Sequence, residues 1–328
     1  MKVRIAASSR LHLGFMDLNG SLGRLYGSIG VALSKPVTEI VVQPGNHLTI
    51  QNVSKGKKRK VFNFVKAFSK YHGIDPNVTI RVLKSIPEHK GLGSGTQLAL
   101  SISTALAHIY DIKTDTHDLS VIMGRGMRSG IGIWGFEHGG LIIDSGKMRL
   151  QDGGFDARPP RAVVRCDFPD EWKFVIVVPE EKHGISGEEE KKAIEFVHPS
   201  RKISEEICRL VMMKLMPSLI EKDIEAFGNA LSEIDRRTGL FFVPVQGGIY
   251  SEKLSHKIID HFLASGAYGA GQSSWGPAVY GLALKSESDD LANCMAELME
   301  RNKIKGEVYI SSGRNRGAEV EILQSEKL

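Results

Sequence analysis

The chain has only three cysteines in 328 residues, Cys166, Cys208 and Cys294, widely separated and outside any CxxC or CxxH spacing. That excludes a disulfide framework and a structural zinc site. With no adjacent cation or helix start, each is expected to be a small core residue. No run approaches the ~18–20 uninterrupted apolar residues of a membrane-spanning helix. The first residues, Met1-Lys2-Val3-Arg4-Ile5, alternate like a strand and lack the apolar stretch and small-residue cleavage site of a secretory signal. A cytoplasmic protein without a membrane partner is therefore expected. Charge of one sign is scarcely in excess: 43 Lys and Arg against 38 Asp and Glu leave +5. This favours anionic ligands without singling out nucleic acid. Repeats of 20–50 residues, heptads and low-complexity tracts are also missing, which excludes a solenoid or a linker protein.

What is present is an ordinary globular composition, 41% hydrophobic and 25% charged, with an unusual 35 glycines. The length exceeds the ~100–200 residues of a typical domain. Short β-rich runs at 2–7, 38–42, 77–86 and 140–143 alternate with glycine-rich turns. A helix is expected over 61–70, and the basic cluster Lys55-Gly56-Lys57-Lys58-Arg59-Lys60 before it reads as a solvated loop or hairpin tip. Leu98, Ile102, Ala105, Leu106 and Ile109 recur at helical spacing, with Ser94 or Thr96 as its cap. The glycines and paired prolines of 152–160 stop any element. The boundary falls there, giving a first domain over 1–155 and a second over 156–328. The second domain is expected to hold strands near 173–178, 278–284, 306–311 and 318–323. Helices are expected near 203–216, 221–234, 252–264 and 288–301. Glu188-Glu189-Glu190 reads as a solvent-facing acidic run. The fold class is α+β.

The most informative segment is Pro87-Glu88-His89-Lys90-Gly91-Leu92-Gly93-Ser94-Gly95-Thr96-Gln97. A glycine loop opening a helix exposes unpaired N–H groups at the positive end of the helix dipole, where phosphate oxygens bind. Lys90 and His89 are placed to add charge. The spacing is neither that of a P-loop nor that of a dinucleotide-binding fingerprint.

Together with Ser9-Arg10-Leu11-His12-Leu13-Gly14-Phe15 and Gly269-Ala270-Gly271-Gln272-Ser273-Ser274, this loop resembles the three ordered motifs of the GHMP superfamily of small-molecule kinases. The resemblance spans nearly the whole chain. It implies a ribosomal-protein-S5-like N-terminal domain, a ferredoxin-like C-terminal domain and a polyphosphate held between them. The chain departs from the kinase pattern at Arg128-Ser129-Gly130-Ile131-Gly132-Ile133-Trp134. There Gly132 stands where many kinases carry the aspartate that handles the acceptor's proton, and a glycine can neither accept a proton nor carry charge.

The longer run 128–140 and Gly271-Gln272-Ser273-Ser274-Trp275-Gly276-Pro277 are similar to the branch of that superfamily that serves methanopterin biosynthesis. That resemblance implies phosphoribosyl pyrophosphate as donor in place of ATP, and 4-hydroxybenzoate or 4-aminobenzoate as acceptor. It also implies release of CO2 and pyrophosphate, a magnesium ion with the pyrophosphate, and a homodimer. On this reading Lys90, Gly91, Gly93, Ser94, Gly95 and Thr96 cradle the pyrophosphate, with Ser94 or Thr96 assisting magnesium. One of Arg10, Arg24 and Arg128 meets the carboxylate, Arg128 having the best context. His12 and His138 serve as proton partners, a structural role for each being equally open. Gln272, Ser273 and Ser274 bond ligand oxygens, and Trp275 and Trp134 offer stacking faces. The turn Ser311-Ser312-Gly313-Arg314-Asn315-Arg316-Gly317 is either a further phosphate contact or a solvated hairpin. The alternatives are an ATP-dependent kinase of the same superfamily and a basic binding protein without catalysis.

Overall fold

The computed structural model describes residues 1–180, 200–250 and 252–323, so Glu188-Glu189-Glu190 lies outside the described residues. Two sheets carry the molecule. Strands β1 (Lys2–Asp17) and β2 (Arg24–Pro44) form a long antiparallel hairpin. Both are much longer than the runs at 2–7 and 38–42 suggest. Beyond residue 6 nearly every side chain of β1 is buried, so the two-residue alternation that marks a half-exposed strand disappears. Register shifts at Ser8/Arg10 and His12/Gly14 interrupt the ladder, and such bulges re-aim the side chains beside them.

Around this hairpin the first sheet adds β3 (Thr49–Gln51), β4 (Val78–Lys84), β5 (Leu141–Asp144), β6 (Lys147–Met148), β7 (Ala162–Cys166) and β12 (Glu319–Leu323). Strands β7 and β12 lie beyond residue 155 in sequence yet pair with β5 and β1. Composition marks the loop at 152–160 but not these returns, because pairing partners are chosen by proximity in space. One face carries α1 (Lys55–His72), α2 (Ser94–Ile109), α3 (Thr116–Ile122) and α4 (Ile131–Glu137). The basic cluster 55–60 is not a loop: it forms the first turns of α1, with Ser54 as N-cap accepting from the Lys57 N–H. The N-cap of α2 is Gly93 in a left-handed conformation with no side-chain bond, so neither Ser94 nor Thr96 caps it.

The second sheet has β8 (Trp172–Pro179), β9 (Gly269–Gln272), β10 (Val279–Leu284) and β11 (Gly306–Ser312), in the order β11-β8-β10-β9 with every pair antiparallel. Numbered within the domain this is 4-1-3-2, the ferredoxin-like arrangement expected. Its helices are α5 (Arg201–Leu210), continued by a π turn at Val211–Leu215, then α6 (Met216–Glu221), α7 (Ile224–Gln246), α8 (Lys253–Ala264) and α9 (Ser288–Arg301). Among the described residues no helix is long and apolar enough to cross a membrane. Cys166 is half-buried, while Cys208 and Cys294 are exposed, so these two are not the core residues expected. Both sit on amphipathic helices, where one turn separates core from solvent.

One apolar core joins the halves: Leu11, Leu13 and Phe15 of β1 pack with Phe174 of β8 and Phe227, Ile234 and Phe242 of α7. The long helix α7 approaches β9 so closely that a Cβ on Gly269 would lie 2.2 Å from the Gly228 carbonyl oxygen, and one on Gly271 2.6 Å from Asp235 Cγ. Only glycines admit this spacing, and it sets the buried side of α7 beside β1 and β9.

Candidate active site

The three glycine-bearing segments meet at the seam between the two sheets. Ser273 is the staple: its Oγ accepts from the His12 N–H at 3.0 Å and donates to the Gly91 carbonyl at 2.8 Å. The Ser274 N–H donates to the His12 carbonyl at 3.2 Å and the Arg10 N–H to the Leu92 carbonyl at 3.2 Å. The Arg10 guanidinium also donates to the Gly91 carbonyl. Gly91 adopts φ +79°, and a Cβ there would sit 2.2 Å from the Ser273 carbonyl oxygen.

An open cleft of about 610 Å³ runs over this loop, lined by Gly91, Gly93, Ser94, Gly95 and Thr96 and by Arg10, whose side chain packs against Gly93. The N–H groups of Ser94 and Gly95, in the first turn of α2, have no intrahelical partner by position, and the dipole of this 16-residue helix points its positive end at the cleft. Lys60 and His89 add positive or donor character to the rim, their side chains 3.1 Å apart.

Beside the cleft lies a much narrower inner pocket of about 40 Å³, lined by His12, Phe15, Asp235, Phe242 and Trp275. Ser274 and Trp275 line both spaces and form the partition between them. Trp275 meets Phe242 edge to face at 4.5 Å, and Phe15 meets His12 at 4.7 Å. His12 is buried, and its loss of solvation first, with Arg10 second, pushes its pKa down to about 3. It is neutral at any ordinary pH, so it is not the near-neutral acid that its residue type suggests.

The structure brings together Arg10, His12, the loop 91–96, Gln272, Ser273, Ser274 and Trp275, and leaves the other expected residues elsewhere. Lys90 is turned away from the cleft: its Nζ donates to the carbonyls of Pro179 at 2.6 Å and Glu180 at 2.8 Å, tying the loop to the end of β8. Arg24 is exposed and bonds to Ser145 and Gly146. Arg128, half-buried in the segment before α4, lines neither space. His138 ends α4 on the surface, stacked on Trp134 at 5.5 Å and near Glu137. Trp134 donates to the Pro160 carbonyl at 2.9 Å and belongs to that surface cluster. In the segment 311–317, Arg314 bonds the carbonyls of Arg316 and Gly317 and pairs with Glu319, bracing the crossing from the second sheet to the first. Replacing Lys90 with methionine is therefore expected to cost about 1–3 kcal/mol in denaturant stability while leaving the donor's KM unchanged. A rise in KM of about tenfold with unchanged stability would return Lys90 to the phosphate site.

Two residues of the site escape sequence reasoning. Arg125 lines the cleft with its guanidinium 5.0 Å over the Phe64 ring and its Nη1 3.5 Å from where a Cβ on Gly95 would stand. Its Nε is buried and finds no hydrogen-bond partner among the described residues, and burial lowers its pKa. A desolvated arginine beside a helix N-terminus is the expected form of an anion site awaiting its ligand. The available signal was the flanking Gly124 and Gly126, which mark a backbone bent to aim one side chain. The other is Asp235, on the same face of α7 as Leu231, Thr238 and Phe242. An acid on an otherwise apolar helical stripe was its only trace.

The chain matches the family model of the GHMP kinases N terminal domain over residues 59–140 and that of the GHMP kinases C terminal over 215–301. It is 35% identical to the β-ribofuranosylphenol 5′-phosphate synthase of Methanothermobacter thermautotrophicus, over 96% of this chain and 97% of that protein. It is 31% identical to the protein of the same name from Archaeoglobus fulgidus, over 98% and 100%. The crystal structure of homoserine kinase from Cytophaga hutchinsonii superposes with a TM-score of 0.68 over 98% and 97% of the two chains, at 16% identity, a likeness of fold alone.

Proposed function

The chain belongs to the β-ribofuranosylphenol 5′-phosphate synthase family, built on the GHMP kinase fold, and we propose that it joins a phosphoribosyl diphosphate to an aromatic acid with loss of CO2. The observation that carries this reading is the pair of adjoining spaces, one cationic and one lined by aromatic rings, that share Ser274 and Trp275 in their walls.

In this assignment the diphosphate of phosphoribosyl pyrophosphate lies in the cleft, against the N–H groups at the start of α2, Arg10 and Arg125. These donors stabilise the charge that grows on the leaving diphosphate as the C1–O bond breaks. Among the described residues no group of three His, Cys, Asp or Glu forms a metal cage, and the oxygen ligands at the loop are the Ser94 and Thr96 hydroxyls. The Ser94 and Thr96 hydroxyls are the groups that would hold a magnesium ion beside the diphosphate, where it would supply charge neutralisation to the leaving group.

The aromatic acid occupies the inner pocket, its ring against Trp275, Phe242 and Phe15. The pocket is narrow, so a ring entering it moves the Trp275 and Phe242 side chains aside, a change common at binding sites. The ribosyl carbon reaches the ring past Ser274. The carbon bearing the carboxylate attacks it, and departure of CO2 restores aromaticity. Apolar walls favour that last step, because a carboxylate is poorly solvated there and its charge disperses as CO2 leaves. The relatives' name carries a phenol, which supports 4-hydroxybenzoate over 4-aminobenzoate as the acceptor.

The test is incubation with phosphoribosyl pyrophosphate and carboxyl-labelled 4-hydroxybenzoate or 4-aminobenzoate, scoring CO2 and pyrophosphate, beside an ATP reaction scored for ADP. Equal release of CO2 and pyrophosphate is expected. ADP from an added hydroxylated acceptor, with no CO2 from either acid, would make the protein a kinase.

A further inference from the structure

We propose that Asp235 takes the proton of the acceptor's ring hydroxyl as the ribosyl bond forms and returns it as CO2 leaves, so that it selects a phenol over an aniline. This rests on the reading above, in which the aromatic acid occupies the inner pocket.

The geometry comes first. Asp235 Oδ1 accepts from the Gln272 N–H at 3.0 Å and the Tyr250 hydroxyl interacts with the carboxyl, while Oδ2 has no well-formed hydrogen bond among the described residues. The residue is 6% exposed and belongs to the lining of the inner pocket. His12 and Thr238 also line this space, and His12 Nε2 and Thr238 Oγ1 are buried without partners among the described residues. Buried polar atoms are ordinarily satisfied, so three unmatched ones around one cavity outline a ligand with polar substituents of its own. Nothing in the phosphate chemistry of the cleft employs them.

The chemistry gives Asp235 a task. When the ring carbon attacks C1 of the ribose, the C1–O bond breaks and diphosphate departs with the electron pair. The positive charge left on the ring falls on the para oxygen, and its O–H becomes strongly acidic. Transfer of that proton to Asp235 Oδ2 leaves a neutral dienone. The carbon–carboxylate bond then breaks, and its electron pair flows through the ring to the oxygen. That oxygen recovers the proton, leaving a phenol, CO2 and the carboxylate of Asp235. A para-amino group bears the same positive charge without shedding a proton, so it depends less on the carboxylate.

The groups facing Asp235 leave it as the titrating member near neutrality. They are Tyr250 in the segment after α7, Tyr280 on β10 and His12 on β1, with Arg236 next to it on α7 paired to Glu233. Burial raises both tyrosines and lowers His12. Desolvation lifts Asp235 to about 7, against the pull of Tyr250 and the Gln272 N–H. A carboxyl matched to neutral pH suits a proton taken and returned within one turnover.

The experiment measures CO2 release from both acids as a function of pH. With 4-hydroxybenzoate the wild-type kcat should rise through one ionisation near pH 7. Asp235→Asn keeps the oxygen that receives the Gln272 N–H. It should lower kcat for the hydroxy acid by about tenfold or more with little change in KM, abolish that acid limb, and affect the amino acid less. Tyr250→Phe, which retains the carboxyl, should move the limb to higher pH. An unchanged kcat and pH profile in Asp235→Asn overturns the proposal. So does an equal loss for both acids with the Tyr250→Phe limb unmoved, which is the signature of a packing role. A wild-type protein that releases no CO2 from either acid fails the underlying reading instead, and the proposal with it.

Discussion

Replacing Arg125 with alanine is expected to lower kcat/KM for the diphosphate donor by about a hundredfold, the size of effect seen when one donor to a developing anion is removed. The argument is a balance of burial and charge. The guanidinium lies over Phe64 with its Nε out of water and without a partner among the described residues, and its pKa is lowered by that burial. Without ligand this arrangement costs desolvation, offset in part by the cation–π contact of about 1 kcal/mol. Removing the side chain should therefore leave the ligand-free Tm within a few degrees of wild type. A bound diphosphate repays the desolvation through charge-assisted hydrogen bonds, so the rise in Tm on adding phosphoribosyl pyrophosphate should shrink sharply in the variant. Arg125→Lys should recover only part of the loss, since an ammonium cannot offer the paired donors of a guanidinium. Full turnover and an undiminished ligand-induced Tm shift in Arg125→Ala would remove it from the site.

The second large effect is Gly91→Ala. The residue holds φ +79°, and the new Cβ would stand 2.2 Å from the Ser273 carbonyl oxygen and 3.4 Å from that of Gly276. Both obstacles are backbone, so no rotamer change relieves them. The added strain of the left-handed conformation and the displaced Ser273 contacts together should cost about 3 kcal/mol or more. The contrast is Gly95→Ala. There the nearest atom is the flexible Nη1 of Arg125 at 3.5 Å, and the helix gains an alanine in place of glycine, so stability should hold or rise slightly. Denaturant midpoints of the two variants decide the matter: equal midpoints would show that the Gly91–Ser273 approach is dispensable.

Segments 91–96 and 269–276 were identifiable in the sequence because glycines in unusual density announce backbone that must turn tightly or be approached closely, whereas 9–15, with a single glycine, was legible only through its resemblance to the superfamily's first motif. The helix beginning at Ser94 was equally plain, since its apolar residues recur on one face. Strand lengths were not, because β1 is covered on both sides for most of its course and its alternation vanishes. Lys90 shows the limit from the other direction. A lysine beside a phosphate loop has the right chemistry, yet its side chain points across the seam to Pro179 and Glu180. His138 and Trp134, embedded in a long motif, face the surface because α4 turns them away from the loop.

The sequence by itself determined the α+β class, the loop at the start of α2 and the family, since these depend on local periodicity and on motif order along the chain. Only the tertiary structure decided which charges line the cleft and the inner pocket. Arg125 and Asp235 stand more than a hundred residues apart, and neither belongs to a motif legible in the sequence. They enter one site because glycines at 228, 269 and 271 let α7 lie against β9, and because Phe64 supports the arginine from α1. The electrostatic character of each follows from burial. Desolvation raises the pKa of one and lowers that of the other, and burial is a property of packing that the order of residues does not display.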